Sequence, residues 1–212
     1  STGVVSPGVR AVDSLSPLRD FTNVARELLK PIHFGPEEVQ GFLDSIGVFG
    51  DLSLEQFERV QLFVAAAINK LLEVGGKDST LTLNLPSTGA VHVPEHYQMK
   101  VGPDKGKEGD WPRDHGELFR YYRIQLLLKY VGAFQSTGVL ILNGNVGAFF
   151  AMAATGGQTI LNGECGWRGC HGLAGGGVSV YGIAGHSFLA AAVSGRVYVD
   201  QGVVNGVHIN GE

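Results

Sequence analysis

Glycine recurs through the last third of the chain at an interval of 19 residues, and that interval limits the possible folds more than any other feature. Gly138, Gly157, Gly176 and Gly195 form one column, Gly144, Gly163 and Gly182 a second, and Gly147, Gly166 and Gly185 a third. Three glycine columns in one period, with apolar columns in phase, mark a repeat architecture. The apolar columns are Leu140, Thr159, Val178 and Val197 and, two residues later, Leu142, Leu161, Val180 and Val199. Alternation of this kind makes a strand with one face turned inward. The inner face is therefore expected at Leu140, Leu142, Leu161, Val178, Val180, Val197 and Val199. A glycine corner follows each strand, at Asn143-Gly144 and Asn162-Gly163, where positive φ is accessible to both residue types. Each unit closes with a second apolar stretch, such as residues 148–154 or 187–193, and a glycine-containing return.

A unit of 19 residues is too short for a helix pair. It suits one turn of a parallel β-helix, whose coils bury their inner face only by stacking. An antiparallel meander with evenly spaced turns is one alternative. A membrane hairpin is another, because residues 138–161 carry no charge and residues 173–195 only His186, lengths that would allow two spanning helices. Asn143, Asn145, Thr155, Gln158 and Thr159 in the first stretch argue against insertion, as does the period-two alternation.

Upstream the periodicity is helical. Ser16-Pro17 is an N-cap with proline at the first helical position, and Leu18, Phe21, Val24, Leu28 and Leu29 follow at helical spacing until Lys30-Pro31. Pro36 opens a second helix with Val39, Phe42, Leu43 and Ile46 on one face and Gly47 as its stop. Ser53 and Gln56 form a capping box for a third, which carries Leu54, Phe57, Val60, Val64, Ile68 and Leu71 to Gly75-Gly76. Residues 1–75 thus read as a helical bundle. Residues 76–136 read as a linker with two short strands (Leu81, Leu83, Leu85; Val91, Val93), a polar loop at 102–110, and a fourth helix from Asp114 to Gly132 that covers one end of the repeat. Residues 137–212 are the glycine-rich repeat. The expected fold class is α+β, a helical bundle followed by a β-solenoid.

The corners Gly144-x-x-Gly147, Gly163-x-x-Gly166 and Gly182-x-x-Gly185, each followed by glycine and an alternating strand, resemble the GXGXG β-helix domains. Those domains occur at the C-terminal end of the large subunit of glutamate synthase and in one of the subunits of formylmethanofuran dehydrogenase. The resemblance covers residues 137–202. It implies a scaffold that packs against catalytic parts carried elsewhere, and it implies no catalytic residue in this chain.

The bulk numbers and the remaining motifs point the same way. At 44% hydrophobic and 17% charged over 212 residues the chain is globular rather than disordered. A net charge of −4 without a dense Lys and Arg stretch leaves no electrostatic footprint for nucleic acid. Cys165 and Cys170 are too few for a disulfide framework and fall where other coils carry Val146, Ala184, Ala151 and Leu189, so buried thiols in a reducing compartment are expected. The start Ser1-Thr2-Gly3 lacks a signal-peptide layout and suggests a cytoplasmic protein. His92-Val93-Pro94-Glu95-His96 spells H-x-x-E-H, a zinc string when helical, but Pro94 disfavours a helix there and Val91-His92-Val93 alternates like a strand. Ser187 lacks the glycine-flanked elbow of a hydrolase, and no phosphate-binding loop of the G-x-x-x-x-G-K type is present. Asp110-Trp111-Pro112-Arg113-Asp114-His115 is the densest polar-aromatic cluster, suited to capping a helix or forming a binding edge.

No enzyme, cofactor or metal site is expected from these residues. The chain reads as a structural subunit that forms homo-oligomers or docks a protein partner, with Val203, Val204, Val207, Ile209 and Trp111 as candidate interface residues. A scaffold subunit of an oxidoreductase or amidotransferase, a coat or filament protein, and a membrane-inserting protein are the alternatives. Because Pro94 breaks the only metal-like string, elemental analysis of protein purified without chelator is expected to find no stoichiometric zinc. About one zinc per chain, lost in His92→Ala, would contradict this reading.

Overall fold

The structure, a computed structural model, describes residues 16–46, 54–86 and 128–203. Among these residues three helices precede a single parallel sheet. Helix α1 is Ser16–Leu29, α2 is Pro36–Ser45 and α3 is Leu54–Gly75. Strands β1 (Thr80–Asn84), β2 (Val139–Asn143), β3 (Gln158–Asn162), β4 (Ala174–Val180) and β5 (Ser194–Val199) lie side by side in chain order.

Local chemistry sets the helix limits. The Gly35 N–H at the start of α2 donates to Glu38 Oε2 (2.7 Å), satisfying a donor that the helix leaves free, and Pro36 starts the helix without losing a bond. Helix α3 ends where Gly76 takes φ +79°. Val39, Leu43 and Ile46 of the α2 segment are buried as the spacing predicts. In α1 the buried face is Thr22, Ala25 and Leu29, whereas Val24 and Leu28, expected inside, are exposed. Thr22 enters the interior because its hydroxyl donates to Leu18 O (2.8 Å). Val64, Ala65, Ala66, Ala67 and Ile68 of α3 are all buried, so α3 is enclosed on several sides. Helix α1 packs along it, with an Arg26–Glu73 ion pair and Lys70 Nζ donating to Leu29 O and Ile32 O (both 2.6 Å).

The repeat is a parallel β-solenoid of about three turns. Partners in β2, β3 and β4 are 19 residues apart: Leu140 pairs with Thr159, Thr159 with Val178, and Leu142, Leu161 and Val180 follow in register. These are the inward positions, all buried. Residues 138–161 and 173–195 are strands and turns rather than helices, and the parallel pairing replaces the antiparallel alternative. Among the described residues no helix is long and apolar enough to cross a membrane.

Three sequence expectations need correction. Leu81 and Leu83, read as linker, occupy the first rung of the same sheet and pair with Leu140 and Leu142. The helix extended to Gly132 is not helical over residues 128–134, which form turns; residues 114–127 lie outside the described residues. Asn143 and Asn162 are not positive-φ corner residues. They end their strands in a ladder, Asn143 Nδ2 donating to Asn84 Oδ1 (3.0 Å) and Asn162 Nδ2 to Asn143 Oδ1 (2.8 Å).

The side of each coil opposite the sheet is a turn ribbon in which every second residue has positive φ. Tyr130, Gly132 and Phe134 begin the series. Phe149, Ala151 and Ala153 follow, then Arg168, Cys170 and Gly172, then Ser187, Leu189 and Ala191, each set 19 residues after the last. A side chain there costs roughly 1–3 kcal/mol per residue. The ribbon persists because the amides of consecutive positive-φ residues reach alternately to the next and the previous coil: Phe149 N donates to Trp167 O (2.9 Å), Ala151 N to Val131 O (3.0 Å) and Ala153 N to His171 O (2.8 Å). Bonds three residues apart, such as Ala154 N to Ala151 O, close turns within the coil.

The glycine columns serve close stacking. A Cβ on Gly163 would sit 2.1 Å from Gly144 O, and one on Gly182 would sit 2.4 Å from Gly163 O. No side chain fits between those rungs.

The register has a direct test. Leu161→Asp or Val180→Asp buries an unpaired carboxylate at a cost of several kcal/mol and is expected to abolish cooperative thermal unfolding of the repeat, whereas Ile160→Asp on the outer face is expected to be far milder. Wild-type melting of either inner variant would refute the register.

Candidate partner-binding site at the solenoid end

The two ends of the solenoid are finished differently. At the first end, β1 is the edge strand and α2 packs on it. The Gln40 side chain acts as a substitute strand: Asn84 N donates to Gln40 Oε1 (2.8 Å) and Gln40 Nε2 donates to Asn84 O (2.7 Å). The first turn ribbon is joined to α3. Tyr130 Oη donates to Glu58 (2.5 Å), Lys129 N to Gln61 Oε1 (2.5 Å) and Asn69 Nδ2 to Ala133 O (2.8 Å). Burial and the Glu58 carboxylate together push the Tyr130 hydroxyl well above the usual phenol range. Among the described residues this end is covered by α3; residues 114–127, expected to form a covering helix, lie outside them.

At the other end β5 is the edge strand. Its inward residues Val197 and Val199, and Val203 on the rung that pairs with Ala184, are only partly buried, whereas Val178, Val180 and Ala184 one coil earlier are closed off. Val193 is 71% exposed. On the outer face Arg196, Tyr198 and Asp200 stand in a row, with Tyr198 Oη donating to Asp200 Oδ1 (3.0 Å) and its ring 5.8 Å from that of Tyr181. Beside them Gly177 leaves a shallow depression bordered by Gln158, Ser179, Arg196 and Tyr198. Of the candidate interface residues, Val203 lies on this last rung and is partly buried. Val204, Val207, Ile209 and Trp111 lie outside the described residues, as do His92, Glu95, His96 and the cluster from Asp110 to His115.

Several other polar groups of the repeat find partners within it. Thr159, the polar member of its inner column, donates to Gln135 Oε1 (2.5 Å), and Gln135 Nε2 reaches the carbonyls of Thr137 and Gly138 (both 3.1 Å). Cys165 and Cys170 are free and buried; burial pushes the Cys165 thiol up to about 12 and the Cys170 thiol well above its ordinary value. Ser187 shares a hydrogen bond with His186 Nδ1 (2.5 Å) on the outer ribbon. Beside it Arg168 lies over the Trp167 ring (4.4 Å), and Phe149 stacks on Tyr130 (5.3 Å).

Sequence reasoning missed Gln40 and Gln135. Gln135 carried a signal, since Ala154, Leu173 and Ala192 fill its column in later coils. Gln40 carried none, being one half-buried polar residue in a helix whose partner strand the sequence did not reveal.

His171 gives the ribbon a pH dependence. It is buried, with Nδ1 unpartnered, and burial followed by the Arg168 charge lowers its proton affinity below the ordinary 6.5. The unfolded chain then binds a proton that the fold resists, so stability is full above pH 6.5 and falls as pH drops through and below that value. His171→Met, the residue at this place one coil earlier (Met152), is expected to flatten that acid-side loss in denaturant titrations across pH. Identical slopes in both proteins would refute the assignment.

No family model, no curated protein and no solved structure matches this chain.

Proposed function

We propose that the chain is a non-catalytic structural subunit whose solenoid offers its open end to another protein surface. The observation that carries this reading is the contrast between the ends: Gln40 and α3 close one, while Val197, Val199 and Val203 reach the surface at the other. An edge strand with an incompletely covered apolar interior gains free energy by pairing. In this reading the three helices act as a small bundle that caps the solenoid. Two free cysteines agree with a reducing compartment such as the cytoplasm.

Gly-x-x-Gly corners stacked too closely for side chains support a second reading, kinship with the GXGXG domains. The chain would then be a scaffold subunit of an oxidoreductase or amidotransferase, and stoichiometric co-purification with a catalytic chain would favour it.

Light scattering on the pure protein over a range of concentrations tests the first reading. The mass is expected to exceed that of the monomer and to fall when residues 203–212 are deleted, with helical circular dichroism retained. A monodisperse monomer at micromolar concentration, whose residues 194–203 exchange amide hydrogens rapidly, would refute self-assembly.

A further inference from the structure

We propose that β5 pairs antiparallel with β5 of a second copy about a two-fold axis through Tyr198, so that Arg196 of each chain faces Asp200 of the other; this rests on the assembly reading above and specifies its geometry.

The backbone defines the pairing. Asp200 N donates to Val180 O (2.9 Å) and so points into the sheet. Amides alternate in direction along a strand, so those of Val197 and Val199 point to the free edge. Antiparallel pairing about Tyr198 sets Val197 opposite Val199 of the copy, and Val199 opposite its Val197, in hydrogen-bonded pairs. Both are inward residues, so the same register closes the exposed apolar end.

The side chains select that register. Residues opposite each other in an antiparallel pair share a face. Centred on Tyr198, the outer face places Arg196 against Asp200 twice and Tyr198 against Tyr198, with Tyr181 beside it (5.8 Å). Shifting the centre to Val197 opposes Arg196 to Tyr198, and shifting it to Val199 opposes Tyr198 to Asp200; neither pairs the charges. Tyrosine and arginine suit such a surface, since they offer large contact area with a polar tip. The other end of the solenoid does not offer a matching edge, because the Gln40 amide occupies the Asn84 backbone groups and α2 packs on β1. Head-to-tail addition needs two complementary ends, whereas an isologous contact uses one patch twice and closes as a dimer.

Charge reversal tests this. Arg196 and Asp200 are exposed, so the variants keep the fold, which melting curves verify. Arg196→Asp opposes carboxylates twice and Asp200→Arg opposes cations twice; each is expected to weaken the dimer roughly tenfold or more in sedimentation equilibrium. The double exchange, Arg196→Asp with Asp200→Arg, is expected to restore it. A one-to-one mixture of the two single variants is also expected to dimerise, because each chain then meets its opposite charge. Assembly that persists unchanged in both single variants would refute β5 pairing while leaving the assembly reading intact. Open-ended growth of the wild type would refute two-fold closure. A wild-type monomer at all accessible concentrations would refute both the pairing and self-assembly.

Discussion

The structure depends on coil-to-coil hydrogen bonding along the turn ribbon. Phe149, Ala151, Ala153, Arg168, Cys170, Ser187, Leu189 and Ala191 hold positive φ, a conformation their side chains disfavour by about a kilocalorie per mole or more each. Within one coil the turns satisfy only part of the backbone. The amides that the alternation turns outward find carbonyls one coil above or below, at 2.7–3.1 Å in pairs such as Cys170 N to Phe150 O and Tyr130 N to Ala148 O. A coil is therefore stable only between neighbours, and its backbone strain is offset by contacts it cannot make alone.

That dependence makes the ends the decisive surfaces. The first described coil is covered by helical side chains at the groups a preceding coil would meet: Glu58 on Tyr130, Gln61 on the Lys129 amide, Asn69 on the Ala133 carbonyl, Gln40 on Asn84. These residues come from two helices and act together as a template for the first rung. The last coil keeps its inward valines partly exposed. Its strand and the residue after it also hold Arg196 and Asp200, two of the five charged residues from Gly132 onward.

The period and the inner columns were legible because they rest on glycine packing and two-residue alternation, which survive in any single coil. The first rung was not, since β1 stands 59 residues before β2 rather than 19. The trace was present even so: Leu81-Thr82-Leu83-Asn84 repeats the form of Leu140-Ile141-Leu142-Asn143. The ribbon was illegible for a different reason. Alanine, phenylalanine, leucine and cysteine are poor predictors of positive φ, and only stacking makes that conformation favourable. For the same reason Leu128 and Val131 looked helical, because apolar residues three apart suit a helix as well as a ribbon whose inner residues meet the next coil. The rung position of Val203 was legible from continued alternation, whereas the charged row beside it was visible only once Arg196, Tyr198 and Asp200 stood on one face.

Arg196 and Asp200 bear on specificity through their position. Sheet edges invite indiscriminate pairing, and charged residues on an edge oppose it, because most incoming strands leave them facing apolar or like-charged neighbours. A single sign of charge would repel a second copy as strongly as any other strand. Opposite signs placed symmetrically about Tyr198 discriminate: they disfavour shifted registers, where each charge lacks its counterpart, and match one antiparallel arrangement. The inward side adds a second condition, since a slip of one residue would turn Val197 and Val199 away from the apolar end they complete. In the proposed pairing, outer charge and inner valines thus require the same alignment, so one register satisfies both conditions.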